Sequence, residues 1–183
     1  PRAILDRAVA DFDGGRLAES VAGFDRVAEL APQAAPQLWQ RGIALYYVGR
    51  YRDCRRQFES HRTVNPNDVE NAAWHFLCVA REDSPEAARA ALLPVGSDPR
   101  PPMGEIYELF RGTTTPDAVM AAAARGRPRA LFYAHLYVGL YHEALGVDQA
   151  ARRHIASAAA EQYAAAGGYM HMVARVHLAE IDG

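Results

Sequence analysis

Apolar residues return every three or four positions along almost the whole chain, a spacing that predicts amphipathic helices. Leu17, Val21, Phe24, Val27 and Leu30 make one such stripe. The stripes stop at residues that disfavour helix: Gly14-Gly15, Pro32, Gly49, Asn65-Pro66, Gly146 and Gly167-Gly168. Between these breaks the pattern predicts helices over 3–13, 16–31, 36–48, 51–64, 69–82, 85–94, 103–111, 116–125, 129–145, 148–166 and 169–182. Asp68 is placed to cap the helix at 69, while Ser84-Pro85 and Thr115-Pro116 supply caps and first-turn prolines for two more. The segment Val95–Pro102 is rich in turn formers but too short to act as a tether, so one domain over 1–183 is expected.

The helices come in pairs, and the pairs repeat. Thirty-four residues separate Gly15 from Gly49, Leu17 from Tyr51, Ser20 from Cys54, Phe24 from Phe58 and Pro32 from Pro66. That period is the spacing of the tetratricopeptide repeat, TPR. In the second pair Gly42 is expected to face Cys54, so that two backbones approach while Leu45, Tyr51 and Phe58 fill the surrounding space. The pairs run over about 1–34, 35–68 and 69–95, the third being degenerate because Phe76 stands where the repeat has glycine. Short helices fill 102–126. Gly139 precedes Gly146 as Gly42 precedes Gly49, and Ala151, Ile155 and Ala158 form a small, large, small stripe, which marks a last pair over 128–166. The fold class expected is all-α: a TPR-type α-solenoid of stacked hairpins, with a terminal helix at 168–182 capping its open end.

Composition narrows the function classes. A net charge of −2 and a pI near 6.4 exert no general pull toward nucleic acid, and neither nucleic acid nor a transmembrane segment is expected. The basic residues are all Arg with no Lys, which suggests a GC-rich bacterial genome. Two cysteines, Cys54 and Cys78, lack any CxxC or finger spacing and fall on apolar helices. They read as two free core thiols, each acting as a small hydrophobe. Pairing across neighbouring helices is the alternative, and would place the protein in an oxidising compartment. Pro1, without a Met, opens the first helix, which leaves room for a leader lost upstream.

A family resemblance accumulates from RGIALYYVGR at 41–50, PND at 66–68, EIYELFRG at 105–112 and FYAHLYVGLYHEALG at 132–146. These segments resemble the NlpI-like bacterial lipoproteins and their tetratricopeptide relatives over nearly the whole chain. The resemblance implies an all-α adaptor that binds other proteins, in that family a periplasmic protease and cell-wall hydrolases, often as a homodimer. It also implies a periplasmic or membrane-anchored location, with the cytoplasm left open because the lipid-bearing N-terminal Cys of that family is absent.

No catalytic signature stands in the chain: there is no GxSxG, P-loop or Rossmann glycine pattern, and His142-Glu143 starts an HExxH whose second ligand position is Gly146. No enzyme activity, cofactor or metal is therefore assigned. His75, His135, His142, His171 and His177 lie on predicted helices, with His135 and His142 on one face. They read as core histidines bonded to a Tyr or a carbonyl, and a His-rich metal-binding or enzymatic domain is the alternative. Arg50, Arg52, Arg55, Arg56 and Arg62 read as a solvated face offset by Asp53 and Glu59, with an acidic partner as the alternative.

The aromatic stripe is the stronger lead. First helices of such pairs line a concave groove, and the expected protein-binding residues there are Trp39, Ile43, Tyr46, Tyr47, Trp74, Leu77, Tyr133, Leu136 and Leu140, with Arg81 orienting a polar end of the ligand. The same residues also suit an ordinary core, and that alternative stays open. Apolar residues such as Leu5, Val9, Trp39 and Ile43 at groove positions exclude the carboxylate-clamp form that grips acidic C-terminal peptides. The function expected is a non-catalytic adaptor or scaffold holding a peptide or protein segment, or else a homo-oligomerisation module.

Overall fold

The structure, a computed structural model, describes residues 2–183; Pro1, the first residue of the expected domain, lies outside them. Among the described residues every regular element is helical. The chain forms two compact units, 1–96 and 97–183, divided inside the turn-rich Val95–Pro102 segment. The first unit holds α1 (Arg2–Asp13), α2 (Leu17–Leu30), a 3₁₀ segment (Pro32–Gln37), α3 (Trp39–Tyr47), α4 (Tyr51–His61), α5 (Val69–Glu82) and α6 (Pro85–Ala90). Each of these α-helices packs on the next in the chain. The second unit holds α7 (Met103–Arg111), α8 (Pro116–Ala123), α9 (Pro128–Ala144), α10 (Asp148–Ala158), a 3₁₀ turn (Glu161–Tyr163), α11 (Ala164–Gly167) and α12 (Tyr169–Asp182).

Three hairpins share one turn. Gly15, Gly49 and Gly146 have φ of 71°, 74° and 71°, the left-handed region where a side chain is strained. Each follows the end of a helix, and the next residue donates back across the turn: Arg16 to the Asp11 carbonyl at 2.8 Å, Arg50 to Leu45 at 3.0 Å and Val147 to His142 at 2.9 Å. Together with the glycine N–H bonds to Phe12, Tyr46 and Glu143, this is the Schellman closure that satisfies the last carbonyls of a helix. The thirty-four-residue period is thus visible as repeated geometry in the first two hairpins, and the last hairpin adopts the same turn.

The close approach inside the hairpin differs from the sequence expectation. A Cβ built on Gly42 falls 2.7 Å from Phe58 Cε2 and 3.2 Å from Gln57 Cγ, so the atoms nearest Gly42 belong to Phe58 and Gln57 rather than to Cys54. A Cβ on Gly139 falls 2.8 Å from Ile155 Cδ1, the same pairing of positions in α9 and α10. Glycine in the first helix therefore admits the large residue of the second. Cys54, one turn before Phe58, points instead to α5, where it is bonded to Cys78 across a Cα–Cα distance of 5.9 Å. The reading of two free core thiols is corrected: small residues at the α4–α5 contact bring the two backbones within disulfide span.

Boundaries shift where packing overrides pattern. The helix expected from 36 starts at Trp39, because Pro32 and Pro36 cannot donate to a helical ladder and the segment settles as 3₁₀. Two α4 side chains hold it: Gln57 Nε2 donates to the Ala35 carbonyl at 2.9 Å and His61 Nδ1 to that of Pro36 at 2.8 Å. The helix expected over 148–166 ends at Ala158, and His171 of α12 donates from Nε2 to the carbonyls of Ala159 and Ala160, both at 3.1 Å. Tyr163 turns inward against Phe132 with ring centroids 6.1 Å apart. The helix expected to 94 ends at Ala90. The anticipated caps form, Asp68 accepting from Glu70, Ser84 from Ala87 and Thr115 from Ala118.

Candidate functional site

A pocket of about 520 Å³ opens in the first unit between α1, α2 and the start of α3. Its apolar wall is Leu5, Val27, Ala34, Leu38 and Trp39, and its polar rim includes Arg2, Asp6 and Gln37. The 3₁₀ segment supplies one side of it, so the prolines that shorten α3 also shape the cavity. Trp39, the first residue of α3, is half-buried: its ring is held by the unit yet reachable from the pocket. A large flat apolar surface beside water is the kind of anchor that binding energy concentrates on.

The other residues of the expected groove divide sharply by burial. Ile43, Trp74 and Leu77 are 1 % exposed, Leu136 and Leu140 are 0 %, Tyr133 is 4 % and Tyr46 6 %. These seven are packed inside their own units and offer almost no surface to a partner. Trp74 is the centre of an aromatic cluster, with ring centroids 5.6 Å from Tyr46, 6.4 Å from Tyr47 and 6.5 Å from Phe58. The physical reason is width: α3 meets α2, α4 and α5, so a helix that pattern alone leaves with one spare apolar face has little face to spare. Trp39, half-buried Tyr47 and exposed Arg81 remain accessible. Arg81 lies over the Tyr51 ring, 5.6 Å from its centroid, and donates to its hydroxyl at 3.3 Å, so its guanidinium is held on the protein's own surface.

Arg50, Arg52, Arg55 and Arg62 of the arginine stripe are likewise engaged within the chain. Arg50 bridges Asp25 and Asp53, both at 2.7 Å; Arg52 meets Glu82 at 3.2 Å; Arg55 meets Glu59 at 2.9 Å; Arg62 donates to the Pro94 carbonyl. Asp25 also receives Arg41 at 2.7 Å, tying the first hairpin to the second. Although partial burial opposes ionisation of Asp25, the hydrogen bonds from Arg50 and Arg41 hold its carboxyl below the usual range.

The histidines fall into two groups. His75, His171 and His177 are buried. His75 reaches Glu59 at 3.4 Å, His171 serves two carbonyls and His177 pairs with Glu143. Burial pushes His75 below the ordinary imidazole value, outweighing the opposite pull of Glu59. His135 and His142 stay half-buried and gather around His154, a residue that pattern reading passed over. The available signal was register: His135 and His142 flank Gly139, and His154 immediately precedes Ile155, the residue seated on that glycine.

The second unit carries a pocket of about 350 Å³ lined by Arg100, Arg127, Arg129, Ala130 and Tyr133. Arg100 is bound to Asp98 at 2.6 Å, and Arg129 lies over the Tyr133 ring. No helix is long and apolar enough to cross a membrane among the described residues. A search against protein-family models finds no family that matches the chain.

Proposed function

We propose that this protein is a non-catalytic adaptor of the tetratricopeptide type, akin to the NlpI-like lipoproteins, that holds a segment of another protein on its first unit. The observation that carries the reading is the apolar pocket between α1 and α3, with half-buried Trp39 at its wall. Supporting it are the identical hairpin turns at Gly15 and Gly49, which are what a repeat built for stacking needs. The pocket suits one bulky apolar side chain of a peptide, with Asp6, Arg2 and Gln37 near enough to meet its flanking polar groups. The extended groove first expected contracts to this pocket, because Tyr46, Trp74 and Tyr133 are core. The disulfide between Cys54 and Cys78 accords with an oxidising, extracytoplasmic setting.

The test is selection of peptides from a random library on the intact chain, followed by affinity measurement on Trp39→Ala and Leu5→Asp variants. Peptides sharing an aromatic or branched aliphatic anchor are expected, and truncating Trp39 should cost about 2 kcal/mol of binding, roughly a thirtyfold loss, at little change in melting temperature. Selected peptides that bind both variants as well as the parent would refute the pocket assignment. Sedimentation at micromolar concentration separates this reading from one in which a second copy fills the pocket.

A further inference from the structure

Gly139 on α9 has His135 four residues before it and His142 three after, so both imidazoles share the face that meets α10. Ile155 of α10 sits on Gly139, and His154 beside it rises between the two. The Nδ1 atoms of His135 and His154 are 3.1 Å apart. The His142 ring stacks on His154 with centroids 5.8 Å apart and planes 26° from parallel. All three are half-buried, so each keeps an edge toward water. The Nδ1 atom of His142 is buried and has no hydrogen-bond partner among the described residues.

We propose that His135 and His154 form a binding site for a transition-metal cation of the Cu²⁺, Ni²⁺ or Zn²⁺ class, completed by His142 and water. Two imidazole nitrogens bound to one ion at about 2.0–2.1 Å stand about 2.9 Å apart at a right angle and about 3.4 Å at a tetrahedral one. The observed 3.1 Å lies between these values. Among the described residues no three ligating side chains already converge on one point. His142 therefore joins by rotating about its side-chain torsions, and solvent takes the remaining positions.

Charge and protonation agree with this chemistry. A ligating imidazole must be neutral, and burial lowers the pKa of all three, that of His154 to about 4 with His135, His142 and Arg153 adding to the effect. Asp117 of α8 acts on His142 and His154 with the opposite sign, though more weakly than Arg153. Without metal, the Nδ1–H of one ring can donate to the Nδ1 of the other. On ligation that proton shifts to Nε2 of the same ring, so both imidazoles stay neutral, and uptake weakens at lower pH as protons compete for the ring nitrogens. Imidazole nitrogen disfavours the hard cations Mg²⁺ and Ca²⁺.

The experiment uses the full chain, without an affinity tag and dialysed against chelator, titrated with CuCl₂ and ZnCl₂ by calorimetry and with Cu²⁺ by electron paramagnetic resonance. One saturable equivalent with nitrogen hyperfine structure is expected, no heat from MgCl₂, and a loss of about tenfold or more in affinity for His154→Gln and for His135→Gln. Absence of saturable binding to the parent chain overturns the proposal whatever the variants do. So does binding of unchanged affinity in both variants, which would place the ion elsewhere.

Discussion

Replacing Gly139 by alanine tests the physical claim behind the hairpins, that glycine is present because the facing helix needs its space. The added Cβ would sit 2.8 Å from Ile155 Cδ1, 2.8 Å from its Cγ1 and 3.1 Å from its backbone nitrogen. Ordinary carbon contacts lie at about 3.5–4.0 Å, so roughly 0.7 Å or more must be found. Rotating Ile155 relieves only its side-chain atoms; the backbone contact forces α10 itself to retreat, loosening Ala151 and Ala158 with it. Overpacking of this kind costs about 1–3 kcal/mol, against which alanine gains about 1 kcal/mol of helix propensity. Because the contact with the Ile155 backbone nitrogen puts the overpacking cost in the upper part of that range, about 2–3 kcal/mol, the net expectation is a destabilisation of about 1–2 kcal/mol, or a melting temperature lower by about 2–8 °C in a chain of this length. Gly104 in α7 is the control: nothing lies within 4 Å of a Cβ there, so alanine should leave stability unchanged or raise it by up to about 1 kcal/mol. Gly42→Ala should fall between, because the closest atoms are the far edge of the Phe58 ring, which can swing. Thermal and urea melts followed by circular dichroism measure all three. If Gly139→Ala is as stable as the parent, or moves in the same direction as Gly104→Ala, the close-approach argument fails.

Other outcomes follow from the same structure. The Cys54–Cys78 bond closes a separation of 24 residues between two fully buried sulfurs, so the Cys54→Ala/Cys78→Ala double variant should lose about 3.5 kcal/mol. Alkylation in denaturant without reductant should leave both cysteines unmodified, and two labelled thiols would contradict the bond. For pH, His75 has its pKa lowered by burial, so the unfolded chain takes up a proton first as pH falls below about 6.5. That contribution to stability is present above this value and is lost on acidification, with a slope of up to about 1.4 kcal/mol per pH unit for one proton. Stability measured between pH 7 and 5 should therefore fall less steeply in His75→Gln than in the parent chain, and equal slopes would refute the assignment.

Some of the candidate site is legible in the sequence. Trp39 was marked by being apolar beyond the needs of its own hairpin, and it does border a pocket. Ile43, Trp74 and Leu77 carried the same mark for a different reason: neighbouring helices cover them. A stripe records that a face is apolar, not which surface meets it, because sequence periodicity runs along one helix while burial depends on several. The histidine group shows the same limit. His135 and His142 share a face by spacing alone, but His154 reaches them through the Gly139–Ile155 contact, nineteen residues along the chain from His135.

The sequence by itself determined the local elements: an all-helical chain, most helix limits, the caps at Asp68, Ser84 and Thr115, and the turn glycines at 15, 49 and 146. These depend on backbone conformation and on partners a few residues away, which order along the chain encodes directly. Tertiary structure decided the rest: that Gly42 meets Phe58, that Cys54 meets Cys78, and that Pro32–Gln37 becomes a 3₁₀ wall. Only Trp39, Tyr47 and Arg81 of the expected groove were left accessible. Those outcomes turn on how helices cross, and crossing is set by the joint fit of side chains from separate segments, which no single stripe contains.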